Sequence, residues 1–292
     1  MHLLPVPRHL PVERGAVTPT RLSVTAITLD FGNTLVRVDR PGLRDVVHET
    51  ADGLIGQGIA QDRAAFVAAW GEERDRQFTE EVPQLRETDI EQRAVRVLAR
   101  LRGAAPPPED VRWDDAAAAT LVEPAEVAIV LDTYSAAFLR CMVPVEDAGA
   151  TLRQLAGRGF ALAILSNWPL AITIDRYAAA QGWLPYLRAI VVSQRVGVIK
   201  PHPQIFRAAE HDLGLAPGAA ILHVGDDWAA DVVGASSAGW HTAYLRDRQT
   251  DTPLPTSSRD DAGANRSGEP VVVADLEIDE LAELDALVHV AS

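Results

Sequence analysis

The run ITLDFGNTLV, residues 27–36, starts as a buried strand and stops on a carboxylate. Its β-branched and apolar residues suit the inside of a sheet. Asp30 ends it, and Phe31, Gly32, Asn33 and Thr34 turn the chain. One strand-end aspartate is as readily a turn cap as a reactive group. The pattern returns, however. FALAILSN (160–167) ends on Ser166 and Asn167, and AAILHVGDD (219–227) ends on Gly225, Asp226 and Asp227. Lys200 follows a further apolar run, VVSQRVGVI (191–199). In an open parallel sheet, ligands bind beyond the carboxyl ends of the strands, so these residues are expected in one crevice. A nucleophilic carboxylate, a hydroxyl, an amide, an ammonium and further acids suit a divalent cation and a phosphate.

Between these strands the periodicity is helical. EDAGATLRQLAGRG, PLAITIDRYAAAQGW, HPQIFRAAEHDLG and AADVVGASSAGW each read as helices, and LRAIVVSQ and HTAYLR as further strands. This alternation predicts a parallel Rossmann-like sheet covered by helices on both faces, a three-layer α/β/α sandwich. The stretch 40–144 differs. PGLRDVVHETADGLIGQG, DRAAFVAAWGEERDRQF, DIEQRAVRVLARLRG and PAEVAIVLDTYSAAFLRCM all carry helical spacing and no strand signal. The expected organisation is an α/β core from 24–39 and 145–290, an all-helical cap over 40–144, and a mobile N-terminal tail over 1–23. A polar loop is expected over 247–269, with a strand and helix closing the chain.

The bulk numbers set limits. At 292 residues and 47% hydrophobic content the chain can bury a sizeable core. A net charge of −14 argues against binding to nucleic acid or an anionic membrane. It leaves a small anionic substrate open, because local charge decides that. One cysteine, Cys141, forbids an internal disulfide and fits a reducing compartment. No apolar run is long enough to span a bilayer, and the proline-broken N-terminus lacks a secretory apolar centre. A cytoplasmic protein is expected. The chain's basic residues are arginines with one exception, Lys200.

Four motifs together, LDFGNTLV, LAILSNWP, VGVIKPHPQIF and LHVGDDWAADVVGASSAGW, resemble the haloacid dehalogenase superfamily of aspartyl-phosphate hydrolases. The resemblance covers roughly residues 24–288. The last motif is the most specific, with Asp226 and Asp231 in the family's G-D-x4-D spacing. The inserted helices match the helical cap of one subgroup. The resemblance implies a Mg²⁺-dependent hydrolase of a small phosphorylated metabolite. Asp30 would be the nucleophile, forming an aspartyl phosphate. Asp30, the Gly32 carbonyl and Asp226 would hold Mg²⁺, with Asp231 supporting them. Ser166 and Lys200 would bind phosphate oxygens. Thr34 would orient nucleophile and phosphate, and Asn167 and Trp168 would lie at the substrate. Retaining the chain's one lysine at this position is independent support, since a forked arginine replaces a point charge poorly.

One position departs from the pattern. The family's phosphatases usually read D-x-D-G-T, where the second aspartate protonates the leaving group and then activates water. This chain reads D-F-G-N-T, so Gly32 replaces that carboxylate. Acid–base help of this kind is worth about 10²–10⁴-fold. Three outcomes stand open: a slow phosphatase, a substrate with a good leaving group, or a proton from elsewhere, with Asp39 and His48 as candidates. Two rival readings share the departure. The metal-independent 2-haloacid dehalogenases also lack the second aspartate, but Asp226, Asp227 and Asp231 speak against that chemistry. Phosphonate hydrolases need a cap lysine, which is absent. A low-turnover binding or regulatory protein remains a third. In the cap, Arg86, Arg93, Trp70 and Trp113 are candidates for substrate contact and equally for packed or solvated helix residues. Oligomeric state is not readable.

Overall fold

The carboxyl ends of β2 (Ala26–Leu29) and β5 (Ile221–Gly225) lie side by side, and that adjacency organises the molecule. The computed structural model describes residues 21–108, 110–246, 248, 257 and 272–291. Residues 1–20 of the expected tail and most of the expected 247–269 loop lie outside them. The main sheet adds β3 (Ala161–Ser166), β4 (Ala189–Val192), β6 (His241–Leu245) and β7 (Leu276–Ile278). Its order is β4-β3-β2-β5-β6-β7, and every pair is parallel. The chain steps outward from β2 to β4, then returns to β5 on the other side of β2. That reversal opens a crevice at the β2/β5 boundary, the switch point where α/β sheets bind ligands. β2 and β5 are buried along their whole length, which explains their unbroken apolar sequence.

Helices α1 (Arg40–Gly56), α2 (Arg63–Glu81), α3 (Ile90–Leu101), α4 (Asp115–Ala119) and α5 (Pro124–Cys141) all fall between β2 and β3. Asp39, Asp62 and Asp89 cap α1, α2 and α3 by accepting from backbone N–H groups of the first turn. Pro124 opens α5 at a position where a missing N–H costs nothing. Helices α6 (Ala148–Gly157), α7 (Ala171–Ala180), α8 (Ser193–Val196) and α9 (Pro203–Leu213) join the strands of the core. A π-helical turn, Trp228–Val233, runs into α10 (Gly234–Ser237).

The chain ends differ from the sequence expectation. Leu22–Val24 form β1, which pairs with β8 (Val288–Val290), so residues 22 and 23 are ordered strand rather than tail. The last strand of the main sheet is Leu276–Ile278, not the more apolar Val272–Ala274. Short helical turns at Leu281–Glu283 and α11 (Leu284–Leu287) lead to β8. No helix among the described residues is long and apolar enough to cross a membrane.

Candidate active site

Parallel pairing fixes the positions of the acids. Leu29 lies opposite Val224, so Asp30 and Asp226 leave neighbouring strands at nearly the same level. The Asp30 N–H still donates to the Val224 carbonyl (2.9 Å), which holds the aspartate at the strand end. The turn after it closes through Asn33, whose φ is +57° and whose N–H donates to the Val36 carbonyl (2.7 Å). The left-handed residue of the turn is therefore the asparagine, a residue that tolerates this region.

Asp231 reaches the same point from the π-helical turn. Its carboxylate folds over Gly225, where a Cβ would overlap it. The glycine before Asp226 is thus required by close approach. Asp30, Asp226 and Asp231 each present an oxygen within 4.8 Å of the others. Thr34 Oγ1 lies 3.5 Å from Asp226 Oδ1, so the hydroxyl faces the second carboxylate rather than Asp30.

Lys200 stands among these acids, 2% exposed. Its Nζ donates to Asp30 Oδ1 (2.8 Å), Asp231 Oδ1 (2.6 Å) and the Leu165 carbonyl (2.9 Å). All three ammonium protons are therefore used on the protein. Asn167 positions this lysine. Its Oδ1 accepts from the Lys200 N–H (2.7 Å) and its Nδ2 donates to the Lys200 carbonyl (3.1 Å). The asparagine amide is occupied with the chain that carries Lys200, although the residue also lines the cavity. Ser166 ends β3 fully buried. Neither it nor Thr34 is among the described residues that line the cavity.

The electrostatics follow from burial. Burial raises the Asp30 carboxyl against the opposing pull of Lys200. Asp226 is pushed well above the usual range by burial and then by Asp30, Asp231 and Asp227. Burial acts the same way on Asp231, but Lys200 and His223 outweigh it and hold that carboxyl below the usual range. Burial would lower Lys200, yet the Asp231 and Asp30 charges push it up. His223, in mid-strand β5, is lowered chiefly by burial. As a neutral ring it donates from Nε2 to Asp231 (3.0 Å) and accepts at Nδ1 from Thr28 (2.8 Å). Sequence reading missed His223, because a histidine inside an apolar strand carries no pattern of its own.

The acids form the floor of a cavity of about 350 Å³, large enough for a small metabolite. Gly32, Asn167, Trp168 and Lys200 line it near the floor, and Leu43, Phe78, Val82, Leu85, Glu87 and Arg93 from the cap side. Trp168 packs edge-on against Phe138 (5.1 Å) and Phe31 (5.8 Å), joining the core loop to α5. Of the four cap candidates, Arg93 alone lines this cavity. Trp113 donates to the buried Glu73 (2.9 Å), Arg86 pairs with Glu81 (2.5 Å), and Trp70 stacks on Phe66 and Tyr134. Asp39 is spent capping α1, and His48 is not among the described lining residues. The carboxyl that the cap contributes is Glu87, whose oxygens accept from Thr88 N–H (2.7 Å) and from Ser193 Oγ.

The donor set fits a hard divalent cation. Several carboxylates converge on one fixed cation, Lys200; burial raises Asp30 and Asp226, and the Asp231 charge adds to both. An oxygen-seeking ion would supply the charge this cluster lacks.

Comparison with known proteins identifies the family. The family model of haloacid dehalogenase-like hydrolases matches residues 24–239. By sequence the chain is similar to a glyceraldehyde 3-phosphate phosphatase of Methanopyrus kandleri, 33% identical over 42% of this chain and 52% of the relative. It is similar to a ribulose-1,5-bisphosphate 5-phosphatase of Halopiger xanaduensis, 32% identical over 56% of this chain and 65% of the relative. A phosphoserine phosphatase of Thermus thermophilus is 34% identical over 39% of this chain and 45% of the relative. The matches thus span 45–65% of these relatives' own length. Among solved structures, the 2-haloacid dehalogenase of Pseudomonas syringae pv. Tomato DC3000 shares the fold, with a TM-score of 0.57 at 19% identity over 90% of this chain and 97% of that one. A HAD phosphatase of Thermococcus onnurineus shares it at a TM-score of 0.50, with 21% identity over 89% of this chain and 95% of that one. With the strand-end aspartate, the buried lysine and the paired acids of the last motif all converging on one crevice, the chain belongs to the haloacid dehalogenase-like hydrolases.

Proposed function

We propose that the protein is a Mg²⁺-dependent phosphatase that hydrolyses a small phosphorylated metabolite through an aspartyl phosphate on Asp30. The observation that carries this reading is the cluster of Asp30, Asp226 and Asp231, whose oxygens lie within 4.8 Å of one another around a single lysine. A metal-independent dehalogenase has no use for that surplus of acid. The sequence relatives, named as phosphatases of small organic phosphates, support the same reaction class.

Asp30, Asp226 and the Gly32 carbonyl would hold the metal. Bound there, Mg²⁺ supplies positive charge to the phosphoryl oxygens and screens the acids from the incoming anion. Asp30 attacks phosphorus, so an Oδ–P bond forms as the ester O–P bond breaks and the alkoxide leaves. Lys200, 2.8 Å from Asp30, holds the nucleophile in place and lessens its repulsion of the substrate. Asp231 and His223 keep that lysine charged and oriented. Water then hydrolyses the aspartyl phosphate to release phosphate and regenerate Asp30. No carboxyl at position 32 assists either proton transfer, which favours substrates whose leaving group needs little protonation.

A screen of phosphorylated metabolites with and without Mg²⁺ tests this reading. Turnover should vanish with chelator, return with Mg²⁺, and be absent in folded Asp30→Asn protein. Metal-free release of halide from a 2-haloacid would overturn it.

A further inference from the structure

Helix α3 buries two arginines less than one turn apart, and their surroundings differ. Arg96 is 3% exposed and lies among acids: Asp115 at 2.7 Å, Glu80 at 3.6 Å and Glu73 at 4.0 Å. Arg93 is also 3% exposed, yet among the described residues no carboxylate comes within ion-pair distance of it. Its Nε donates to Gln77 Oε1 (2.9 Å), an Nη reaches Thr88 Oγ1 (3.4 Å), and its plane lies over Trp70 at 5.5 Å. These are neutral partners. The charges of Glu87 and Asp75 act on Arg93 only from beyond ion-pair distance, and Glu87 spends its oxygens on Thr88 and Ser193. Desolvation pushes the Arg93 guanidinium down to about 10. A buried charge left without a counter-charge is costly, and the usual remedy is a partner ion.

Arg93, on helix α3 of the cap, lines the same cavity as the acid cluster. It also lines an adjoining hollow of about 460 Å³, and Leu43, Arg74 and Tyr134 are shared by both. That hollow is lined by Arg40, Arg44, Arg74 and Arg93 and by no acid among its described lining residues, although Arg74 also pairs with Asp75 (2.7 Å) and Arg44 with Asp45 (3.5 Å), side chains outside that lining. Tyr134 is buried beside Arg93, stacked on the same Trp70 (5.2 Å), and the charges of Arg93 and Arg74 both act on its phenol. Besides Arg74, Arg93 and Glu87, the cap lines the cavity with apolar Leu43, Phe78, Val82 and Leu85.

We propose that Arg93, with Arg74 and the Tyr134 hydroxyl, forms a second anion site that receives the far end of the substrate. The preferred substrates are then phosphate esters that carry a carboxylate or a second phosphate beyond a short apolar linker. The ester phosphate meets Asp30 and Lys200, the linker lies along the apolar wall, and the distal anion supplies the counter-charge that Arg93 lacks. This assignment of substrate class rests on the phosphatase reading, whereas the anion site itself does not.

The test uses the full chain with Mg²⁺ and matched substrates of graded length. ω-Carboxyalkyl phosphates are compared with their ω-carbamoyl analogues, and alkanediol bisphosphates with the corresponding monophosphates. The charged member of a pair should have kcat/KM higher by about 10–100-fold, the value of a charge-assisted hydrogen bond. Arg93→Gln should bring that ratio close to one, and Tyr134→Phe should lower it by roughly 3-fold. Which series shows the preference decides between carboxylate and phosphate as the distal group. Calorimetric titration with glutarate and its neutral diamide reads the site without turnover. Glutarate should bind, the diamide should not, and Arg93→Gln should weaken glutarate by about tenfold or more.

The two readings fail separately. Arg93-dependent glutarate binding without hydrolysis of any phosphate ester removes the phosphatase and keeps the anion site. Hydrolysis with no preference for charged tails, unchanged in Arg93→Gln, overturns the anion site and keeps the phosphatase. Neither hydrolysis nor Arg93-dependent binding overturns both. If Arg93→Gln lacks a cooperative melt, Arg74→Gln and Tyr134→Phe decide, and unchanged ratios in both overturn the site.

Discussion

Lys200 and Arg93 are both buried, at 2% and 3% exposed, and both line one cavity, but the chain neutralises only the first. Lys200 donates to two carboxylates and a carbonyl, and its charge is already outnumbered by the acids around it. Arg93 donates to an amide and a hydroxyl and lies over an indole. The core end of the cavity is therefore short of positive charge, and at the cap end the buried guanidinium has no described carboxylate within ion-pair distance. The first deficit suits a divalent cation and the second an anionic group. The contrast teaches that a buried ion is informative about ligands chiefly when its own chain leaves it uncompensated.

The largest effect expected is on chemistry at the core end. Asp30→Asn should lower Mg²⁺-dependent turnover of an aryl phosphate by on the order of 10³-fold or more, measured on protein with a normal melt. Residual turnover within about tenfold of wild type would remove the nucleophile from the core end and with it the comparison.

Stability separates the two cations next. Lys200→Met strands Asp30 and Asp231 in the interior, and chemical denaturation should show a loss of roughly 3–5 kcal/mol. Arg93→Met breaks no ion pair but orphans the buried Gln77 Oε1, so its cost should be smaller, roughly 1–2 kcal/mol. Equal losses in the two variants would mean that Arg93 is compensated after all.

Catalysis at Gly32 comes third. Gly32→Asp restores a carboxyl beside the nucleophile, on a turn whose left-handed residue is Asn33. It should raise turnover of alkyl phosphates by about 10²-fold and of aryl phosphates much less. A folded, Mg²⁺-binding variant with no gain on alkyl substrates would show that the native substrate needs no such proton.

The smallest effect concerns Glu87, which links the cap loop to Ser193. Burial raises its carboxyl above the ordinary value. A folded-state value above the unfolded one means that the folded protein binds the extra proton, so stability falls as pH rises past the unfolded value, near 4.5. Glu87→Gln removes that titration. The melting temperature of wild type minus that of the variant should decline by a few degrees as pH rises from about 4 to 7. A difference that rises with pH would contradict the sign.

Much of the core was legible because a parallel sheet writes itself as apolar runs broken by turns. The reading placed Asp30, Ser166, Asn167 and Asp226 at strand ends before any pairing was known, and the sheet puts them there. It placed Lys200 in the same crevice, and the family resemblance added Asp231, to which Lys200 donates a hydrogen bond. It also expected four helices in 40–144, and α1, α2, α3 and α5 occupy those stretches, with the short α4 added. The chain ends were less legible. β1 and β8 are three residues each and gain their apolar partners only by pairing with one another, at opposite ends of the sequence.

What the sequence by itself determined is the order of strands and helices and the residue types delivered to the crevice, because these depend on local periodicity and on which residue follows each strand. What only the tertiary structure decided is how each of those residues is used. Thr34 faces Asp226, Asn167 holds the Lys200 backbone, His223 braces Asp231, and one of two arginines on α3 is left without an acid. Arg93 and Arg96 are indistinguishable in a string of letters. Their difference is set by which carboxylates from α2, from the start of α4 and from the cap loop come within ion-pair range, and that is a property of packing.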